Sequence, residues 1–124
     1  MAKILFAEDE PDIRELIAFT MRFAGHETGA ARDGAEALQA AQAGDMDLIL
    51  LDVRMPHLTG YEVCERIKAD ERLQQIPVVF LSAKGQESEI QAGYQAGAED
   101  YILKPFSPDQ LILRVQQILS NGKK

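Results

Sequence analysis

One cysteine, no tryptophan and no long apolar run set the first limits on this chain of 124 residues. A single thiol, Cys64, can close no internal disulfide and build no thiolate zinc cage. Its setting, Tyr61-Glu62-Val63-Cys64-Glu65-Arg66, has a helical pattern flanked by acids, which disfavours a thiolate; Cys64 reads as a small packing residue. The longest apolar runs are about four residues, against the roughly 20 a membrane helix needs. Ile4 to Ala7 is also too short for a signal core and runs straight into Glu8-Asp9-Glu10, so the cytoplasm is the expected compartment. Positive charge is scarce: 13 Lys and Arg stand against 20 Asp and Glu, a net charge of −7, with no basic run beyond Lys123-Lys124. Such a chain is not built to grip a phosphate backbone directly.

What is present is ordinary for a globular protein, with 46% hydrophobic and 27% charged residues. The length suits one domain with a proper core. No internal repeat, low-complexity segment or linker interrupts it. The expectation is one domain over residues 1–124, with no output domain after the last helix.

The stretch Asp47-Leu48-Ile49-Leu50-Leu51-Asp52-Val53-Arg54-Met55-Pro56 organises the rest. Four consecutive large aliphatics without alternation predict a strand buried on both faces, and Asp52 arrives where the run stops, just before a proline turn. Before it, Lys3 to Ala7 reads as a strand ending in Glu8-Asp9-Glu10-Pro11. Ile13, Leu16, Ile17, Thr20 and Met21 then give an amphipathic helix stopped by Gly25. Glu27 to Ala31 is a weak strand candidate, supported mainly by the need to connect two helices. Asp33-Gly34-Ala35-Glu36 opens an Ala-rich helix ending near Gly44, and Thr59-Gly60-Tyr61-Glu62 opens another to about Asp70, both as capping boxes. Val78 to Leu81 is a second buried strand ending at Ser82. A helix from about Glu87 to Ala96 carries Gly93 in its interior, at a cost of about 1 kcal/mol against alanine, and so should be the softest. Tyr101-Ile102-Leu103 is the last strand, followed by Lys104-Pro105, a turn that admits a cis peptide. Ser107-Pro108-Asp109-Gln110 caps a closing helix that buries Leu111, Val115, Ile118 and Leu119.

Strand and helix alternate five times with short connections, which means right-handed βαβ units and a parallel sheet. The expected fold is α/β, a flavodoxin-like (βα)5 three-layer sandwich with strand order 2-1-3-4-5 and its switch point between the first and third strands. All strand ends then lie on one rim. Glu8 and Asp9, Asp52, Ser82 and Lys104 meet there in that order. Three carboxylates together need a cation or a proton, and an all-oxygen acidic set suits Mg²⁺. A metal, an ammonium and a hydroxyl around a carboxylate suit phosphoryl transfer, with Asp52 as nucleophile.

These residues carry a family resemblance. Ile4-Leu5-Phe6-Ala7-Glu8-Asp9-Glu10, Leu50-Leu51-Asp52-Val53-Arg54-Met55-Pro56 with Gly60, Leu81-Ser82-Ala83-Lys84, Ala96-Gly97-Ala98-Glu99-Asp100-Tyr101 and Lys104-Pro105-Phe106 occur in the order found in two-component response-regulator receiver domains, which the chain resembles over its whole length. The resemblance implies that Asp52 accepts a phosphoryl group from a sensor histidine kinase or phosphotransfer protein. It implies Mg²⁺ on Asp9, Asp52 and the Arg54 backbone carbonyl, with Glu8 acting through water. Lys104 would contact the phosphoryl oxygens. Ser82 would turn inward to the phosphate, and Tyr101 would follow from a solvent-facing pose, reshaping a surface of fourth helix, fifth strand and fifth helix. Glu8 departs from the aspartate usual at its position, Ser82 stands where threonine is also common, and Arg54 and Lys84 occupy variable flanking positions that tune phosphoryl lifetime.

Rival readings fit less well. A hydrolase of the haloacid-dehalogenase kind needs an Asp-x-Asp pair and a cap, and Asp52-Val53-Arg54 in so short a chain supplies neither. A flavin carrier needs a phosphate-cradling loop where Glu8-Asp9-Glu10 stands. An interaction module that has lost its chemistry is the main alternative, against which the joint presence of Asp9, Asp52, Ser82 and Lys104 argues. His57, beside Pro56, reads as an exposed inert loop residue, and His26 as a partner of a helix C-terminal dipole. Leu113 should face water on the output face beside Asp100 and Arg114, where a homodimer or downstream partner would dock.

Overall fold

The computed structural model describes residues 2–55, 58–82, 87–104 and 106–121. The expected turn at Pro56, the inert His57, the flanking Lys84 and the Lys104-Pro105 peptide fall outside those residues. The elements alternate as β1 (Lys3–Ala7), α1 (Pro11–Phe23), β2 (Glu27–Ala31), α2 (Gly34–Ala43), β3 (Leu48–Asp52), α3 (Gly60–Ala69), β4 (Val78–Ser82), α4 (Glu87–Gln95), β5 (Asp100–Leu103) and α5 (Pro108–Asn121). The five strands pair in parallel in the order β2-β1-β3-β4-β5, as expected. β5 begins one residue earlier than its apolar run, at Asp100.

Successive strand residues point to opposite faces, so each strand feeds two cores. Leu5, Ile49, Leu51, Val78, Phe80 and Tyr101 pack on one face with Ala37 and Ala41 of α2 and Val63, Cys64 and Ile67 of α3. Ile4, Phe6, Leu48, Leu50, Val79, Leu81 and Ile102 pack on the other with Ile17 and Met21 of α1 and Leu111 and Val115 of α5. β3 and β4 are buried along their whole length, which is why neither sequence alternates. Two stripes are narrower than expected. Leu16 in α1 is 39% exposed, because the buried arc there is Ile17, Thr20 and Met21. Ile118 and Leu119 in α5 are only half-buried, packed at the margin of the cluster whose fully buried α5 members are Leu111 and Val115.

The helix ends follow local chemistry. Gly25, with φ of +94°, lets the chain turn from α1 into β2. Thr59 and Glu62 form the full reciprocal box at α3, and Ser107 and Gln110 exchange the same pair of bonds at α5. At α2 only half of the expected box forms. Asp33 accepts from the Glu36 amide at 2.9 Å, but the Glu36 carboxylate reaches past the cap to the Arg32 amide and guanidinium. The nearby cation outcompetes the Asp33 amide.

His26 is corrected too. Its Nδ1 accepts from the Ala2 amide at 3.1 Å, and burial, with the chain's terminal amine, lowers its pKa. It ties β1 to the α1–β2 turn as a neutral acceptor rather than as a cation on a dipole. Cys64 is buried as expected; its thiol donates to the Ala96 carbonyl at 3.3 Å, and burial pushes its pKa up to about 12.

Thr59→Ala removes one bond of the α3 box and should lower stability by about 1 kcal/mol. Gly60→Ala should cost about 1–3 kcal/mol by overpacking, because a Cβ there would overlap the Asp52 carbonyl oxygen. Urea unfolding with an unchanged slope against denaturant would check both.

Candidate functional site

The parallel register brings the strand ends to one rim. Ala7 pairs with Leu51 and Asp52 with Leu81, and the ladder continues past the strands: Glu8 N–H donates to Ala31 O, Val53 N–H to Leu81 O and Lys104 N–H to Ser82 O. Backbone pairing alone therefore holds Glu8, Asp52, Ser82 and Lys104 in a row. Glu8, Asp9 and Asp52 each offer a carboxylate oxygen within 4.8 Å of the others. Lys104 arches over the end of β4 and places Nζ 2.7 Å from Glu8 Oε1 and 3.4 Å from Asp52 Oδ1.

The four groups differ sharply in exposure. Glu8 is completely buried, Asp52 and Ser82 nearly so, while Asp9 is open to solvent. Burial, the adjoining Asp52 carboxylate and its charge push the pKa of Glu8 up to about 8, against the lowering pull of Lys104. Burial works against charge on Lys104, but its hydrogen bond to Glu8 and the charges of Asp52 and Glu8 prevail and raise its pKa. Lys104 is thus held as an ammonium, and Glu8 readily keeps a proton. The second Glu8 oxygen, Oε2, is buried and has no hydrogen-bond partner among the described residues. A buried lone pair facing other carboxylates needs a proton or a cation. Hard oxygen donors without nitrogen or sulfur fit a divalent ion such as Mg²⁺.

Above the carboxylates is an open cleft of about 310 Å³, lined by Asp9, Glu10, Asp52, Val53, Arg54, Ser82 and Lys104. Arg54 lines the cleft, and its side chain is exposed. Of the described residues expected at the site, Glu8, Asp9, Asp52, Arg54, Ser82 and Lys104 are on this rim and Tyr101 is not. Tyr101 lies one layer down, already buried at 7% exposure and tilted against Phe80 with ring centroids 6.2 Å apart. The expected solvent-facing pose is not the one observed, because the ring packs against Phe80 and lies close to Gly93 of α4.

One supporting residue, Arg14, is not singled out by the sequence, and a second, Gly60, has a role there that its motifs do not show. Arg14 reaches back from the first turn of α1 and donates from Nη1 to the Glu8 carbonyl at 3.0 Å. An arginine one turn into the helix that follows an acidic strand end was the available signal. Gly60 is the first residue of α3. Its amide donates to Val53 O at 2.9 Å, and only the absence of a Cβ lets α3 start against the Asp52 carbonyl.

The family described as the response regulator receiver domain matches residues 4–116. The chain is 41% identical over 116 residues to the phosphate regulon transcriptional regulatory protein PhoB of Pseudomonas aeruginosa, covering 94% of this chain and 51% of that protein. It spans about half the length of the curated relatives it matches. Among solved structures, a Francisella response-regulator receiver domain superposes with a TM-score of 0.91 at 32% identity, covering 99% of this chain and 100% of that one. The receiver domain of a Pseudomonas aeruginosa sensor histidine kinase, which holds a magnesium ion in its active-site cleft, superposes with a TM-score of 0.86 at 32% identity over 98% of this chain and 96% of that one. With that match over nearly its whole length and an acidic pocket of Glu8, Asp9 and Asp52 at the matching rim, the chain belongs to the response-regulator receiver domains of two-component systems, phosphoacceptor switches rather than classical enzymes.

Proposed function

We propose that residues 1–124 form a single receiver domain in which Asp52 accepts the phosphoryl group, taken from a phosphohistidine on a sensor kinase or phosphotransfer protein. The observation that carries this reading is the convergence of Glu8, Asp9 and Asp52 within 4.8 Å, with Lys104 3.4 Å from Asp52. Asp52 is the only carboxylate of the three that is both close to Lys104 and open to the cleft. Glu8 is too deeply buried to attack a donor, and no ion pair ties Asp9 to Lys104 among the described residues.

Mg²⁺ fits the donor set, and Asp9, Asp52 and the Arg54 carbonyl would hold it, with Glu8 acting through water. When bound, it supplies positive charge that lets a carboxylate approach an anionic phosphoryl group. Lys104 moves its ammonium from Glu8 toward the incoming oxygens, a short shift because it already lies between the two acids. Ser82, at the end of β4 and lining the same cleft, offers its hydroxyl to the phosphoryl group. The added charge of about −1.5 to −2 is what such donors reward. Ser82 and Tyr101 then act as the switch that alters the surface of α4, β5 and α5.

On that surface Tyr94, Leu103 and Leu113 are exposed, and a cavity of about 470 Å³ lies between β5 and α5. Arg114 is committed within the chain: it donates to both oxygens of Asp100 at 2.6 and 2.8 Å. A homodimer or downstream effector on this face would therefore rest on Leu103 and Leu113 rather than on that pair. In any transcriptional role like those of the relatives, an acidic domain such as this would switch rather than grip DNA. No described helix is long and apolar enough to cross a membrane, and the cytoplasm, where kinase phosphodonors are made, is the compartment this reading assigns.

Incubation with Mg²⁺ and acetyl phosphate should add one phosphoryl group by intact mass. The gain should vanish with EDTA and in Asp52→Asn; phosphorylation of Asp52→Asn to the wild-type level would defeat the assignment. The metal should also compete with the proton on Glu8. Because the folded-state pKa of Glu8 is about 8, above the ordinary carboxylate value of 4.5, the metal-free protein holds that proton at neutral pH. Mg²⁺ affinity should then rise with pH between about 6 and 8, by up to about tenfold per unit for one proton released. The same linkage makes metal-free stability fall as pH rises from 4.5 toward 8, since the unfolded chain gives up the proton first. Glu8→Gln should flatten both trends, read by calorimetric titration and by urea unfolding across that range. Leu113→Asp should abolish self-association of the phosphorylated form in light scattering.

A further inference from the structure

Phe80 is completely buried in β4, yet it is no ordinary filler of the core. Its ring lies between two glycines on two different helices. A Cβ on Gly60, the first residue of α3, would meet Phe80 Cε1 at 3.1 Å and would also overlap the Asp52 carbonyl. A Cβ on Gly93, in the middle of α4, would meet Phe80 Cδ2 at 3.0 Å and Tyr101 Cδ2 at 3.3 Å. Cε1 and Cδ2 are opposite corners of one phenyl ring. The ring therefore spans the gap between the backbone of α3 and the backbone of α4, with no side chain in between to absorb movement.

Two further rings complete the arrangement. Tyr61, next to Gly60, meets Phe80 edge to face at 5.2 Å between centroids, and Tyr101 lies tilted against its far side at 6.2 Å. Phe80 also shares its sheet face with Ser82, two residues along the same strand. We infer that Phe80 is a rigid relay residue, coupling the start of α3, which rests on Asp52, to α4 and Tyr101 through a slot made by Gly60 and Gly93. Close-packed interiors transmit displacement instead of dissipating it, and a phenyl ring is stiffer than the aliphatic chains that could fill the same volume. Gly93 thus gains a reason to interrupt a helix at a cost in propensity: it lets α4 touch the relay.

The inference rests on Asp52 as phosphoacceptor and deepens that reading, and the test keeps the two apart. The full chain is treated with Mg²⁺ and acetyl phosphate, phosphoryl occupancy is read by intact mass, and amide hydrogen exchange is followed in α4 and, as an internal control, in α1. The variant is Phe80→Met, which keeps most of the volume and loses the rigidity. Expected is wild-type occupancy with an α4 exchange response to phosphorylation at least about threefold smaller, and α1 unchanged. A full α4 response in Phe80→Met overturns the relay while leaving Asp52 as acceptor. Failure of the wild type to take up phosphate removes both. Should Phe80→Met not fold, Gly93→Ala decides, since its Cβ presses α4 away from the ring: an α4 response indistinguishable from wild type overturns the relay, and an altered one supports it.

Discussion

A fully buried glutamate pressed beside a second carboxylate is the constraint around which the rim is built. Left alone, Glu8 and Asp52 would repel strongly in a low-dielectric setting. A single ammonium, Lys104, stands between them, and the remaining oxygen of Glu8 has no hydrogen-bond partner among the described residues. The balance is deliberately incomplete. The carboxylates of Glu8, Asp9 and Asp52, with Lys104 paired to two of them, leave room for a divalent ion, a proton or the redistribution of charge that a phosphoryl group brings. A rim neutralised by further fixed cations would be more comfortable and would have nothing to respond to.

The scaffold serves that imbalance by being rigid where the charges are held. Two strands buried along their entire length carry Asp52 and Ser82, and the backbone ladder continues one residue past the strand ends. The Arg14 guanidinium fixes the Glu8 carbonyl from α1, and Gly60 brings the first turn of α3 onto the Asp52 carbonyl from the other side. Lys68 does similar work at the far edge of the sheet. Its ammonium binds the carbonyls of Gln74 and Ile76 and the Glu99 carboxylate, whose other oxygen accepts from the Val78 amide. That clamp ties the entry of β4 to the loop into β5, at the end of the sheet opposite the acidic rim.

Much of this was legible in the sequence because it depends on period and punctuation. The unbroken run Leu48 to Leu51 and the acid that ends it located β3 and Asp52. The five alternations implied the strand order, and the strand order implied that Glu8, Asp9, Asp52, Ser82 and Lys104 share an edge. Glu27 to Ala31 was readable as a strand only through that topology, since its residues carry little β preference of their own. Local competition was harder to read. Glu36 bonded to Arg32 instead of completing its box, and Leu16 fell outside the buried arc although its spacing suited it. Both outcomes turn on which neighbour arrives first in space, which a linear pattern does not record.

The chain's pattern of apolar runs, caps and acids by itself determined the fold and which side chains stand on the rim, because strand period and parallel connection leave almost no freedom in where strand ends go. Only the tertiary structure decided their physical states. Glu8 became a buried, proton-holding carboxylate and His26 a neutral acceptor; Tyr101 settled inward, and Phe80 was wedged between two glycines. Burial depth and the distance between charges set those states, and both arise from packing between segments remote in the chain, where no residue's own chemistry can announce its surroundings.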